Sequence, residues 1–217
     1  MATRKLVFID CDSTLSAIEG IDELARLRGA EVFEACANMT NRAMDGEIEL
    51  EAVYGERLKL INPSLEECLK VGQQYIDTVE STAPAFIAWL KENDWYPVIV
   101  SGGITQAIQP FAQWLGIERV EAVPLLYGDD GAFLGYDEAA PTSRMGGKND
   151  IIRRYKVGHR DVITVMIGDG SSDLETQEDV DLFIGYGGFT ARENVRKEAR
   201  HFISELSAAT EILGELS

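Results

Sequence analysis

Two aspartates, Asp10 and Asp12, flank Cys11 directly after the apolar run Leu6-Val7-Phe8-Ile9. If extended geometry continues through them, side chains two residues apart share a face. Two carboxylates pointing the same way repel, and one is held protonated unless a cation lies between them. A second acidic motif, Gly168-Asp169-Gly170-Ser171-Ser172-Asp173, closes the apolar run from Val162 to Ile167. Should the two runs be neighbouring strands, four carboxylates meet at one point, and such a set of hard oxygen ligands suits Mg2+. Ser101-Gly102-Gly103 follows a third apolar run, Pro97 to Val100, and opens a helical stretch. A hydroxyl with backbone N–H groups at a helix start makes an anion site. Lys148, after Gly146-Gly147, supplies a point cation for the same anion. Singly, each motif also reads as a turn or a helix cap, and Lys148 as a solvated lysine. Asp10 and Asp12 are less easily spent on capping, because Ser13 and Thr14 already offer cap side chains. Alternation sends Cys11 to the opposite face, into the core.

The elements that must position these residues follow from hydrophobic pattern. The runs ending at Asp10, Ser101, Gly168 and Gly185 are continuous rather than alternating, as expected of strands buried on both faces. Between them lie stretches of helical period: Ala83 to Lys91, Thr105 to Leu115, Asn149 to Tyr155 and Thr190 to Ala199. The alternation predicts a doubly wound, Rossmann-like α/β fold with a parallel sheet. Leu125 to Tyr136, with Asp130-Gly131 between apolar flanks, predicts an appended hairpin. From about Ser16 to Tyr75 the pattern is helical throughout. Gly29 suits a helix C-terminus, Asn62-Pro63 breaks the pattern, and Ser64-Leu65-Glu66-Glu67 is a capping box. The expected division is a catalytic core of residues 1–15 and 77–217 and a helical cap of residues 16–76, lying over the C-terminal strand ends where open sheets place ligands.

Within that cap, a helix from Glu47 to Ile61 carries Leu50, Val53, Tyr54, Leu58 and Ile61 as one apolar stripe, and Arg57 falls in its middle. A guanidinium there must snorkel, pair or bind something. Glu19 points away from its helix's apolar residues Ile18, Ile21, Leu24 and Ala25, and reads equally as a solvated glutamate. His159 and His201, the two histidines, sit in no motif.

Composition bounds the remaining classes. The chain has 217 residues, 45% of them hydrophobic, without repeats or biased tracts. Its apolar runs are short of the roughly 18 residues a membrane span needs. Three cysteines without metal spacing, and no cleavage pattern after MATRKLVFID, predict a reduced, cytoplasmic protein. A net charge of -17 argues against nucleic acid or an anionic membrane as partner, and no obligatory protein partner is inferred. An anionic substrate then requires local positive charge from a metal or a few placed cations.

The motifs Asp10-Cys11-Asp12-Ser13-Thr14, Ser101-Gly102-Gly103, Lys148 and Gly168 to Asp173 resemble, in order, the four motifs of the haloacid dehalogenase superfamily. Within it the chain is similar to the phosphoserine phosphatases. That resemblance rests on Glu19 to Ala25, Met39 to Met44, Glu56-Arg57-Leu58 and Phe183 to Gly188, and covers essentially the whole chain. It implies a Mg2+-dependent hydrolase of a small phosphorylated amino acid, on the path of serine biosynthesis. Asp10 would be nucleophile and Asp12 acid–base. Mg2+ would be held by Asp10, the Asp12 backbone carbonyl and Asp169, with Thr14 and Asp173 in support. Glu19 and Arg57 would hold the substrate's amino and carboxylate groups, and Met44, Ser101, Gly102, Gly103, Lys148 and Ser172 would complete the substrate site. Asp45, Ser172 and Ile18 depart from residues common in such enzymes, which leaves room for another small phosphate ester. Transfer to an alcohol such as homoserine is an alternative, and a non-enzymatic receiver-type module a remote one.

Overall fold

A computed structural model describes residues 4–44, 50–158 and 161–216, with the side chains of 40–44 and 50–52 left aside. Asp45, the expected helix start at Glu47, and His159 therefore lie outside the described residues.

The first strand, β1 (Arg4–Ile9), is buried on both faces, as its unbroken apolar run requires. Val7 and Ile9 join one apolar cluster, and Leu6 and Phe8 the other. Four helices follow it: α1 (Gly20–Leu27), α2 (Ala30–Met44), α3 (Leu50–Ile61) and α4 (Leu65–Asp77). The chain then alternates through α5 (Ala83–Glu92), β2 (Trp95–Ile104), α6 (Thr105–Leu115) and β3 (Arg119–Val123). A hairpin of β4 (Leu125–Tyr127) and β5 (Phe133–Tyr136) precedes α7 (Gly147–Lys156), β6 (Val162–Gly168) and α8 (Ser171–Leu174). The last elements are β7 (Leu182–Tyr186), α9 (Glu193–Glu198), β8 (His201–Ile203) and α10 (Ala209–Gly214).

The main sheet has the order β3-β2-β1-β6-β7-β8, with every neighbouring pair parallel. Apolar residues of α5, α6 and α10 cover one face, and those of α7, α8 and α9 the other. The sheet is thus doubly wound, with the direction of winding reversing between β1 and β6. Strand ends at such a reversal leave an open crevice. The edge strands β3 and β8 are absent from the sequence-based expectation. β3 mixes charged with apolar residues, and β8 has three residues, so neither shows the continuous apolar signature.

The helical region packs onto the core through α4. Its α4 contributes Cys68, Val71 and Tyr75 to the apolar cluster that includes Ile108 and Phe111 of α6 and Ile9 of β1. The capping box at the start of α4 is present: the Ser64 hydroxyl accepts from the Glu67 N–H at 3.3 Å, and the Ser64 N–H donates to Glu67 at 2.8 Å. Glu67 has a second role. Arg28, just past α1, donates to Glu67 Oε2 at 2.7 Å and to the carbonyls of Ile61 and Asn62 at 2.7 and 2.9 Å. One guanidinium so closes the end of α3 and ties it to the starts and ends of its neighbours. The Arg28 hydrogen bonds hold the Glu67 carboxyl down at about 2. Because the folded value is depressed, this stabilisation is present above the ordinary glutamate value of 4.5 and is lost as pH falls toward about 2. Glu67→Gln should cost on the order of 1–2 kcal/mol at neutral pH. Thermal melts of the two proteins should converge as pH falls through that window, and a constant gap would assign the loss to packing instead.

Among the described residues, no helix is long and apolar enough to cross a membrane.

Candidate active site

Asp10 follows β1 directly, and its N–H donates to Ile167 O of β6 at 2.9 Å, so the pairing of the two strands runs on to the crevice. Asp169 leaves the end of β6, and α8 carries Asp173 back beneath it. Carboxylate oxygens of Asp10, Asp169 and Asp173 all lie within 4.8 Å of one another, and all three residues are buried. Lys148, near the start of α7 on the far face, reaches into this cluster. Its ammonium donates to Asp10 Oδ1 at 2.8 Å and to Asp173 Oδ1 at 2.5 Å, and its side chain is 8% exposed. Burial pulls the lysine down, but Asp10 and Asp173 outweigh it and the net shift is upward, so Lys148 stays charged. Taken alone, Lys148 reads as a solvated lysine; the fold buries it.

Burial and Asp10 raise the Asp169 carboxyl to about 7 against the pull of Arg192. Burial and Asp10 likewise raise Asp173 to about 7 against the pull of Lys148. Three crowded carboxylates with the Lys148 ammonium and the exposed Arg192 guanidinium are still short of positive charge, which is the condition a divalent cation relieves. The donor set, all carboxylate oxygen, fits a hard cation.

The expected fourth carboxylate is elsewhere. β1 ends at Ile9, and Ser13 takes a φ of 53°, in the left-handed region that a non-glycine residue adopts only under constraint. Asp12 is not among the clustered carboxylates. Its carboxylate accepts from the Tyr75 hydroxyl instead of joining the cluster. Burial, Glu19 and Asp10 push the Asp12 carboxyl well up from the ordinary range. The same turn brings the Thr14 hydroxyl to Asp169 at 3.3 Å and the Ser13 hydroxyl to Glu19 at 2.7 Å. Glu19 is the residue before α1 rather than part of its polar face. Cys11 is fully buried in the core, as alternation predicts.

Ser101-Gly102-Gly103 ends a strand and leads directly into a helix: α6 starts at Thr105, with Ile104 as its N-cap. β2 runs through the triplet to Ile104, which pairs with Val123, and the register slips between Val100 and Ile104. The triplet is a bulge at the strand end, with the Gly103 N–H turned onto Ser101 Oγ at 3.0 Å. The bulge sits immediately before the N-terminus of α6, at the sheet end that borders the crevice.

Arg57 neither snorkels nor stands alone: it pairs with Asp22 of α1. Its Nε is buried and has no partner, and the same holds for the hydroxyl of Tyr54, one turn earlier on α3. Ser172 is exposed on the first turn of α8. Met44 closes α2, and its side chain lies outside the described residues. Asp22, Tyr75 and Arg192 are additions to the set found from sequence. Arg192 donates to Asp169 Oδ2 at 3.1 Å from an exposed position.

A family model described as haloacid dehalogenase-like hydrolase matches residues 7–178. The chain is 35% identical over 212 residues to the phosphoserine phosphatase of Homo sapiens, covering 97% of this chain and 92% of that one. It is 39% identical over 201 residues to the chloroplastic phosphoserine phosphatase of Arabidopsis thaliana, covering 89% of this chain and 66% of that one. A solved structure titled as a phospho-aspartyl intermediate analogue of phosphoserine phosphatase superposes with a TM-score of 0.78 at 26% identity, over 97% of this chain and 99% of that one.

Proposed function

The chain belongs to the haloacid dehalogenase-like hydrolases, and from that premise we propose that it is a Mg2+-dependent phosphoserine phosphatase, releasing serine and phosphate. The observation that carries the chemistry is the buried cluster of Asp10, Asp169 and Asp173 with Lys148 at the β1–β6 crevice. Membership of a hydrolase family sets aside the receiver-type alternative. The substrate reading draws on the relatives named phosphoserine phosphatase and on Arg57, whose buried, unpartnered Nε suits a carboxylate.

Asp10, Asp169 and the Asp12 backbone carbonyl, with Thr14 and Asp173 in support, would hold the cation. When bound, it neutralises charge on the transferring phosphoryl group. Ser101, the Gly102 and Gly103 backbone and Lys148 bind the phosphate oxygens. Asp10 attacks phosphorus and forms an aspartyl phosphate as the ester bond breaks. Asp12 gives its proton to the leaving serine oxygen, then takes one from the water that hydrolyses the intermediate. Glu19 holds the ammonium and Arg57 the carboxylate of the substrate, with Met44 and Ser172 lining the same space. The division into a core of 1–15 and 77–217 and a cap of 16–76 places these two recognition residues on the cap and the reacting groups on the core. Closure of the cap excludes bulk water. We place the protein in the cytoplasm, on its three reduced cysteines.

A panel with Mg2+ tests this: L- and D-phosphoserine, phosphothreonine, sugar phosphates and nucleotides, each with and without homoserine as acceptor. Phosphoserine should be preferred, and free phosphate should appear stoichiometrically. Activity confined to a sugar phosphate would sink the roles of Glu19 and Arg57, and acceptor-dependent loss of free phosphate would make the enzyme a transferase.

A further inference from the structure

We infer that Tyr75 is a positioning residue for Asp12, holding that carboxyl so that Oδ2 faces the leaving group. The inference rests on the acid–base reading of Asp12 given above.

Tyr75 lies 63 residues from Asp12, on the last turn of α4, and donates its hydroxyl to Asp12 Oδ1. The side chain is fully buried and its ring stacks on Phe111 of α6, with centroids 5.7 Å apart and planes 13° from parallel. Since α4 and α6 share the core, the ring that carries this hydroxyl is held by core packing. Two glycines shape the space around the pair. A Cβ on Gly20 would run into the Tyr75 hydroxyl, so the hydrogen bond exists only because α1 begins without a side chain there. A Cβ on Gly103 would lie 3.2 Å from Asp12 Oδ2 and 3.2 Å from Ser101 Oγ. The second oxygen of Asp12 therefore faces the Ser101 loop, which the proposed function assigns to the phosphate.

The two carboxyl oxygens are chemically alike until something distinguishes them. A hydroxyl fixed on Oδ1 occupies that oxygen and leaves Oδ2 to pass the proton. In the first step the phosphorus–oxygen ester bond breaks, its electron pair goes to the serine oxygen, and the Oδ2 proton follows. In the second, Oδ2 takes a proton from the water whose oxygen bonds to phosphorus, and Asp10 leaves as carboxylate. The Gly20 N–H also hydrogen-bonds the Asp12 carboxyl; without Tyr75 the carboxyl loses one of these two anchors, and both transfers lose alignment, a contribution that orientation of a general acid makes to rate.

Leaving-group dependence separates this role from a structural one. p-Nitrophenolate departs as a stable anion and needs no proton, whereas an alkoxide does. kcat/KM covers the steps through leaving-group release, before hydrolysis of the intermediate. For Tyr75→Phe, which keeps the ring stack, kcat/KM on the best alkyl phosphomonoester of the panel should fall about 10- to 100-fold. On p-nitrophenyl phosphate it should stay close to wild type, with active sites counted from the nitrophenolate burst. Equal losses on both esters, or none on either, would overturn the role of Tyr75 and leave Asp12 in place. Asp12→Asn run alongside must show the same selectivity more strongly; if it does not, the acid role fails and the inference with it. Because any alkyl ester serves, the outcome does not depend on phosphoserine being the substrate.

Discussion

Asp10→Asn should abolish phosphomonoester turnover, with a loss in kcat of at least about 10⁴-fold, the scale seen when an enzyme's nucleophile is removed. The amide is nearly isosteric but carries no charge to attack phosphorus. It also removes one of three clustered carboxylates and one of the two carboxylate partners of Lys148. The released positive charge on Lys148 turns toward the substrate, so phosphate binding should be kept or strengthened while chemistry stops. Steady-state release of phosphate measures the first effect and equilibrium binding of inorganic phosphate the second. Wild-type enzyme quenched in acid during turnover should carry a phosphoryl adduct on the peptide containing Asp10. Turnover surviving in Asp10→Asn would remove the covalent mechanism.

Arg57→Ala should raise KM for phosphoserine about 10²- to 10³-fold, as expected when a partly buried charge loses its partner at a cost of about 3–4 kcal/mol. kcat should change far less, because the carboxylate is remote from phosphorus and bound alike in the ground and transition states. The variant also frees Asp22, which pairs with Arg57 across α1 and α3. Arg57→Lys keeps the charge without the planar fork and should recover part of the affinity. The control is an ester without a carboxylate. A matching rise in KM for p-nitrophenyl phosphate would show that the substitution loosens the helical region rather than removing a substrate contact.

Both substitutions were found from the sequence, for different reasons. Asp10 stands at the end of an apolar run, and such runs announce buried strands whatever surrounds them. Gly168 to Asp173 is legible in the same way. Arg57 was conspicuous because a charge interrupts a helical stripe. The edge strands give no such signal: β3 carries Arg119 and Glu121 among its apolar residues, and β8 is three residues long. Extrapolating the strand period past Ile9 placed Asp12 with the metal carboxylates. In the structure its carboxylate meets Tyr75 instead, and no residue type nearby forces the reader to expect it. Ser101-Gly102-Gly103 reads as a strand-to-helix junction, and α6 does start at Thr105; the bulge within the triplet shows only in the register slip against β3.

Residue type and short-range spacing determined the chemistry available to this protein: carboxylates and a hydroxyl at strand ends, a lysine before a helix, an arginine in an apolar stripe. These are local because period and capping act within a few residues. Which of those groups touch, and what else touches them, was decided in three dimensions. Tyr75 meets Asp12 across 63 residues, Arg57 meets Asp22 across 35 and Arg192 meets Asp169 across 23. Each pair joins different elements, and its partners are brought together by core packing that carries no mark in either one's neighbourhood. Burial of Lys148 has the same origin: its own helix reads as polar, and the sheet packed above it turns a surface lysine into the counter-charge of the site.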